Sequence, residues 1–228
     1  MLNTNAELGG RPISRGFRVY LRLRPLILAV NAFGIVGRII LAVSSQGTLN
    51  TLGFFTVQSN LFVLAFLALS VPRGMRARDL QDLPGVAPRW IHGAIALAIA
   101  ITGIVYYALL ARTVEAAGLN ALFLQINHGV TPTLFLIDWF ITGSRQQYTR
   151  RDFGMWFIYP VAYAVFGTIE GALGRPFRYF FLNYRQPTGN YLLWLGVVVL
   201  LFFVVAGVLL LLNRIPRAER QKAQPGPA

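Results

Sequence analysis

The chain has 228 residues, of which 55% are hydrophobic and 13% are charged. This composition is typical of a membrane protein and differs from that of a soluble domain with a single core. The formal net charge is +13, but nearly all basic residues are arginines in short segments between apolar runs, where they flank membrane spans. No stretch is long enough to form the basic face of a soluble nucleic-acid-binding domain, and we therefore exclude nucleic acid as a partner. The absence of cysteine excludes disulfides, thiol catalysis and cysteine-ligated metals.

Six segments are long and apolar enough to cross a bilayer core, which requires about 20 residues of α-helix. In chain order they are approximately 25–45, 54–72, 90–111, 121–142, 153–173 and 191–213. The sequence therefore predicts an all-α, polytopic membrane protein built as a bundle of six transmembrane helices. The predicted parts of the chain are a basic N-terminal segment (1–24), a six-helix transmembrane domain (25–213) and a basic, disordered C-terminal tail (214–228).

The distribution of basic residues predicts the orientation. Arginines and lysines are concentrated in the N-terminal segment, in the second and fourth connectors and in the tail, which share one side of the membrane if there are six spans. The opposite side carries Arg112, Arg175, Arg178 and Arg185. The positive-inside rule then predicts that both termini are cytoplasmic. The first span contains Arg38, and its length of about 20 residues favours a retained helix over a cleaved signal peptide.

Several ionisable residues lie within the predicted spans. They are Arg38, His92, His128, Asp138 and Glu170. Because an ionisable group is costly to place in a bilayer, each is a candidate functional residue. The predicted orientation places Arg38, His128 and Glu170 in the outer half of the bundle. It places His92 and Asp138 near the inner face, where Asp138, followed by Trp139 and a turn, is typical of an interfacial cap.

The second span opens with polar residues in the sequence FFTVQSN (54–60). At 100° per residue, Thr56, Ser59 and Asn60 fall on one helical face within the first two turns. Gln58 points nearly opposite. The span runs inward, so this polar stripe lies close to the outer surface.

The fourth span contains a second group of polar residues, in the sequence INHGVTP (126–132). Helical spacing places His128 and Thr131 on a shared face, with Asn127 beside them. Pro132 removes a backbone hydrogen bond and is expected to kink this helix. The depth of His128 matches that of the polar stripe on the second span.

A hydroxyl beside a neutral imidazole is the minimum machinery for acyl transfer. Either Thr56 or Ser59 is then the nucleophile, with His128 as general base and acid. The candidate supporting groups, which donate to the oxyanion or orient the histidine, are Arg38, Asn60, Asn127 and Glu170. No motif indicates a metal or cofactor site, and two histidines on opposite sides of a bilayer make a poor metal site.

Two other interpretations stay open. In the first, the polar residues are structural, because threonine and serine in spans often bond back to a carbonyl or join helices. Arg38 would then pair with Glu170, and both charges would be neutralised. In the second, the protein is a small transporter or lipid-binding protein, and its polar cluster is a binding site that continues toward Asp138 and His92. The convergence of polar groups from several helices at one depth favours a functional site.

The fifth connector, GRPFRYFFLNYRQPTGN (174–190), mixes arginines with aromatic residues on the predicted outer side. One interpretation is an aromatic belt whose arginines bind lipid headgroups. The other is a lid that holds a fatty-acid carboxylate near the site. In both cases the arginines concerned are Arg175, Arg178 and Arg185.

The six spans, the threonine of FFTVQSN and the histidine of NHGVTP resemble the androgen-induced / androgen-dependent TFPI-regulating protein family. DFGMWFIYPVAYAVF and GRPFRYFFLN are similar to that family's fifth span and following segment, so the resemblance covers most of the chain. The animal members are threonine hydrolases that cleave esters of fatty acids with hydroxy fatty acids. The resemblance implies a bacterial relative in the inner membrane, with Thr56 as nucleophile, His128 as its partner, a lipid ester as substrate and no cofactor.

This chain departs from the family at one place. The animal proteins follow their threonine with a mostly apolar stretch, whereas this chain has Gln58, Ser59 and Asn60. Ser59 is therefore a rival nucleophile, and the ester substrate stays open.

Overall fold

The computed structural model describes residues 13–77, 87–143 and 148–215. Within these ranges the chain forms α-helices and shorter helical turns and contains no strand, so the all-α prediction is confirmed. The helices are α1 (Arg15–Gln46), α2 (Phe55–Arg76), α3 (Arg89–Val105), α4 (Gly118–Gln125), α5 (Thr131–Thr142), α6 (Arg150–Met155), α7 (Ile158–Ala172) and α8 (Thr188–Arg214). Residues 1–12 of the predicted N-terminal segment and residues 216–228 of the predicted tail lie outside the described ranges.

Four helices of the described chain are long and apolar enough to cross a membrane: Arg15–Ser45, Phe55–Arg76, Arg89–Leu110 and Thr188–Arg214. They coincide with the first, second, third and sixth predicted spans. The fourth predicted span consists of α4, a π-helical turn and α5, and the fifth consists of α6 and α7. Because these pieces are individually short, the bundle of six spans stays a prediction.

The first helix is longer than the span that we predicted. Ser14 caps its N-terminus by accepting a hydrogen bond from the N–H of Phe17. Its C-terminus is closed by Gly47 at φ 64°, whose N–H donates to the carbonyl of Val43. Residues 15–24, which we assigned to a separate N-terminal segment, therefore belong to α1.

Helix α3 lies at the centre of the bundle and packs against α2, α5, α6 and α8. Its middle residues are almost fully buried, among them Ala96, Leu97 and Ile99. A Cβ atom at Gly103 would lie 2.9 Å from the carbonyl oxygen of His128. Glycine therefore lets the segment that carries His128 approach the central helix closely.

Polar contacts lie at two ends of the bundle, at Asn60 and at Ser70 of α2, and between these residues the apolar side chains of Val63 and Leu67 are fully buried. At one end, the Asp138 carboxylate pairs with the Arg24 guanidinium at 2.7 Å. Because Asp138 is fully buried in this ion pair, which links α5 to α1, the expectation of an interfacial cap is wrong.

Candidate active site

The opposite end of the bundle contains a hydrogen-bonded pair formed by Thr56 and His128. The Thr56 Oγ1 and His128 Nε2 atoms are 3.1 Å apart. On the other side of the ring, His128 Nδ1 is 2.9 Å from the carbonyl oxygen of Leu124. A carbonyl oxygen only accepts, so the proton of a neutral ring lies on Nδ1, and the Nε2 lone pair accepts from the Thr56 hydroxyl. This is the geometry of a nucleophile and its base, with a backbone carbonyl in the place of a triad carboxylate.

Local helix geometry positions the histidine. His128 lies in a π-helical turn, Ile126–Val130, between α4 and α5. Pro132 follows this turn and has no N–H to donate to the carbonyl of His128, which is four residues earlier. The ring is held from one side by Tyr106, whose centroid is 4.0 Å away in a stacked arrangement.

The threonine is positioned by the start of α2. Phe54 is extended and precedes the helix, and the Phe55 N–H donates to the Tyr163 hydroxyl at 3.1 Å. Thr56 lies in the first turn, where backbone N–H groups have no partner inside the helix and the helix dipole is positive. An oxyanion formed next to Thr56 would therefore lie in the favourable field of the helix dipole.

Tyr179 was not predicted as a site residue. It is buried next to Thr56, and its phenol interacts with both the hydroxyl and the N–H of Thr56. Burial raises the pKa of Tyr179 despite these neighbouring donors, so the phenol keeps its proton. The fifth connector contains several aromatic residues, and nothing in its sequence distinguishes the one that folds inward.

Ser59 lies in a different environment from Thr56, although the two share a helical face. Its hydroxyl donates to the carbonyl of Thr56 at 3.0 Å and is 2.7 Å from the Thr102 hydroxyl. The side chain is fully buried. Because no imidazole is among its hydrogen-bond partners, the geometry favours Thr56 as the nucleophile.

Asn60 and Asn127 join helices. The Asn60 amide donates to the carbonyl of Thr56 at 2.8 Å and to that of Asn127 at 3.1 Å, and it accepts from Asn31 at 3.2 Å. The Asn127 amide donates to the carbonyl of Gly34 at 3.0 Å. Both side chains therefore position α1, α2 and the π-helical turn, and the two bonds that the Asn60 amide donates leave it poorly placed to stabilise an oxyanion.

Arg38 lines a polar cavity of about 360 Å³ that also contains Thr56 and His128. Its guanidinium donates to the Asn120 side chain. Among the described residues, no carboxylate lies within ion-pair distance of Arg38, so the expected alternative of a pair with Glu170 is not formed. The positive charge of Arg38 is therefore available to a polar group in the cavity.

Glu170 instead anchors the fifth connector. Its carboxylate pairs with Arg178 at 2.7 Å and with Arg175 at 3.2 Å. The hydrogen bond to Glu170 raises the pKa of Arg178, which also donates to the carbonyl of Asn50 at 2.8 Å. Arg185 donates to the carbonyl of Gly171 at 2.7 Å. The structure thus uses the three predicted carboxylate-binding arginines to fasten the connector, and of the three only Arg178 lines the polar cavity.

A second cavity, of about 320 Å³, borders Thr56 on its other side. It lies between α2, α3, α7, α8 and the fifth connector, and its lining is almost entirely aliphatic and aromatic. Tyr179 and Thr56 border both cavities, whereas His128 borders only the polar one.

Comparisons of the chain with protein-family models, with curated proteins and with solved structures give no match. Within residues 13–77, 87–143 and 148–215, no group of three or more histidine, aspartate or glutamate side chains is arranged to hold a metal ion.

Proposed function

We propose that this protein is an integral-membrane lipid-ester hydrolase that acts through an acyl-enzyme on Thr56. The observation that carries the proposal is the chain of hydrogen bonds from the Thr56 hydroxyl through the His128 ring to the carbonyl of Leu124. It holds the histidine in the tautomer that a general base requires.

The steps follow from this geometry. The Thr56 oxygen attacks the ester carbonyl while its proton moves to His128 Nε2, and the protonated ring then gives that proton to the leaving alcohol. Water, activated by the same histidine, hydrolyses the acyl-enzyme. The candidate oxyanion donor is the phenol of Tyr179, and the positive end of the α2 dipole lies beside it.

The substrate class and location are supported by the family resemblance. It favours an ester of a fatty acid, such as one with a hydroxy fatty acid, and a multi-pass protein of the bacterial inner membrane with six spans and cytoplasmic termini. The four long apolar helices agree with a membrane location.

The alternative is a transporter or lipid-binding protein. Transport requires a polar path that continues from His128 toward His92 and Asp138. The fully buried apolar side chains of Val63 and Leu67 lie between the two polar ends of the bundle. This separation favours the hydrolase.

Labelling of the purified protein with a fluorophosphonate tests the nucleophile. We expect covalent labelling of the wild type, its loss in Thr56→Ala, and a decrease of about 100-fold or more in the labelling rate of His128→Ala. Ser59→Ala is the matched control, because it removes a nearby hydroxyl without touching the Thr56–His128 pair. Labelling that survives Thr56→Ala and vanishes in Ser59→Ala would reassign the nucleophile. Absence of both labelling and ester turnover in the wild type would overturn the enzyme proposal.

A further inference from the structure

Thr56 lies at the junction of two cavities that differ in polarity. The polar cavity contains His128, Arg38 and Asn120. The apolar cavity is bordered by Phe55, Ile101, Ala164, Val198 and Phe202. An ester whose carbonyl carbon is attacked by the Thr56 oxygen therefore places one of its two arms in each cavity.

The position of His128 decides which arm lies where. After the attack, the proton taken from Thr56 is on His128 Nε2, and it must reach the oxygen of the leaving alcohol as the carbon–oxygen bond breaks. The leaving oxygen must therefore lie on the side of Thr56 where His128 lies. Of the two cavities that Thr56 borders, the polar one satisfies this condition, because His128 borders it and does not border the apolar one.

We infer that the apolar cavity binds the acyl chain of the substrate and that the alcohol part occupies the polar cavity beside Arg38. This inference rests on the proposed hydrolase function and adds to it the direction in which the ester binds. Residues 195–203 of α8 that border the cavity cover about 12 Å of helix, at 1.5 Å per residue. The cavity is therefore long enough to hold an extended acyl chain.

The apolar cavity also opens sideways from the bundle. Val161 of α7 and Val199 and Phe203 of α8 border the cavity and are 59%, 46% and 50% exposed. These residues belong to the apolar surface that a membrane protein presents to lipid tails. An acyl chain can thus enter from the bilayer between α7 and α8 and does not have to cross water.

A mirrored pair of esters tests the direction of binding. Ethyl dodecanoate carries its long chain on the acyl side, and dodecyl acetate carries a chain of the same length on the alcohol side. Val198→Phe fills the apolar cavity, since Val198 is buried and borders it. Val197→Phe is the matched control, because Val197 is 41% exposed and does not border the cavity.

We expect Val198→Phe to lower kcat/KM for ethyl dodecanoate by about tenfold or more, since added bulk in an apolar pocket discriminates strongly against a long chain. Its kcat/KM for dodecyl acetate and for ethyl acetate should stay within about twofold of the wild type. Val197→Phe should leave all three values unchanged. If Val198→Phe does not fold, Ala164→Phe with its exposed neighbour Val165→Phe as control makes the same test from α7.

The outcomes separate this inference from the proposed function. Loss of activity on dodecyl acetate with retention on ethyl dodecanoate would overturn the direction of binding. Equal chain-length profiles in the wild type and Val198→Phe would overturn the role of the cavity. In both cases the hydrolase would stand, because the wild type still turns over ester. Absence of turnover of every ester by the wild type would overturn both proposals.

Discussion

At the scale of single residues, hydrogen-bond partners separate side chains that sequence spacing groups together. Thr56 and Ser59 lie on one face of α2, so periodicity alone could not rank them as nucleophiles. Thr56 is bonded to an imidazole, whereas Ser59 is bonded to Thr102 and to a carbonyl of its own helix. The difference arises from α3 and the π-helical turn, whose positions relative to α2 no local pattern encodes.

Tyr179 is the residue for which the structure adds a role that the sequence did not suggest. If its phenol donates to the oxyanion, Tyr179→Phe should lower kcat by about 100-fold and leave KM nearly unchanged, because the lost hydrogen bond acts in the transition state. The ring keeps its packing, so the protein should unfold at nearly the same temperature. Steady-state kinetics on a soluble ester, with a thermal melt, checks both expectations.

Tyr159→Phe is the matched control for that experiment. Tyr159 also donates a hydrogen bond to α2, to the Gln58 side chain at 3.1 Å, but it borders neither cavity. Its kcat should stay within about twofold of the wild type. Equal losses in the two variants would show that general loosening of α2, and not oxyanion stabilisation, explains the effect.

At the scale of elements, the sequence predicted the helices well and their internal geometry poorly. The apolar run 121–142 is long enough to cross a bilayer. It is therefore predicted to be helical, because a helix satisfies its backbone hydrogen bonds within the segment. The apolar run does not predict the π-helical turn Ile126–Val130. That turn lies just before Pro132 and packs closely against Gly103 of α3, a tertiary contact that the run does not encode. The expected pairing of His128 and Thr131 on one face assumed regular α-helix. In the structure, Thr131 does not border the cavity that His128 borders.

The start of α6 is an element whose stability should depend on pH. Thr149 and Asp152 form a capping box, and Arg89 of α3 pairs with the Asp152 carboxylate at 2.8 Å. Burial by itself would raise the pKa of Asp152, but hydrogen bonds from Thr149 and the charge of Arg89 together lower it below its ordinary 3.8. The carboxylate therefore stabilises the fold above the ordinary pKa, and this contribution is lost as the pH falls through the lower, folded-state value.

Asp152→Asn should accordingly lower the free energy of unfolding by about 1 kcal/mol near pH 7, with a smaller difference from the wild type near pH 3. Thermal unfolding in detergent at the two pH values measures this. Glu115→Gln, which changes an exposed acid in the loop before α4, is the control and should have no effect at either pH. A difference between Asp152→Asn and the wild type that grows on acidification would contradict the assignment.

At the scale of the whole molecule, two ion pairs join helices at the same end of the bundle. Arg24 near the start of α1 pairs with Asp138 near the end of α5, and Arg89 at the start of α3 pairs with Asp152 of α6. The end of α5 and the start of α6 therefore lie at the end of the bundle where α1 and α3 begin. If that end is cytoplasmic, as the arginine distribution predicts, α4–α5 together and α6–α7 together each cross the membrane.

Labelling of single introduced cysteines distinguishes six spans from four. The chain contains no cysteine, so a single introduced cysteine reports its side of the membrane through an impermeant maleimide. With six spans, Arg150→Cys, at the exposed start of α6, should be labelled only after permeabilisation, whereas Ala117→Cys, in the loop before α4, should be labelled in intact cells. With only α1, α2, α3 and α8 crossing, both positions would be external and both would be labelled in intact cells. We expect the first result, because an external Arg150 at the start of α6 would require the Arg89–Asp152 pair at 2.8 Å to join opposite sides of the bilayer.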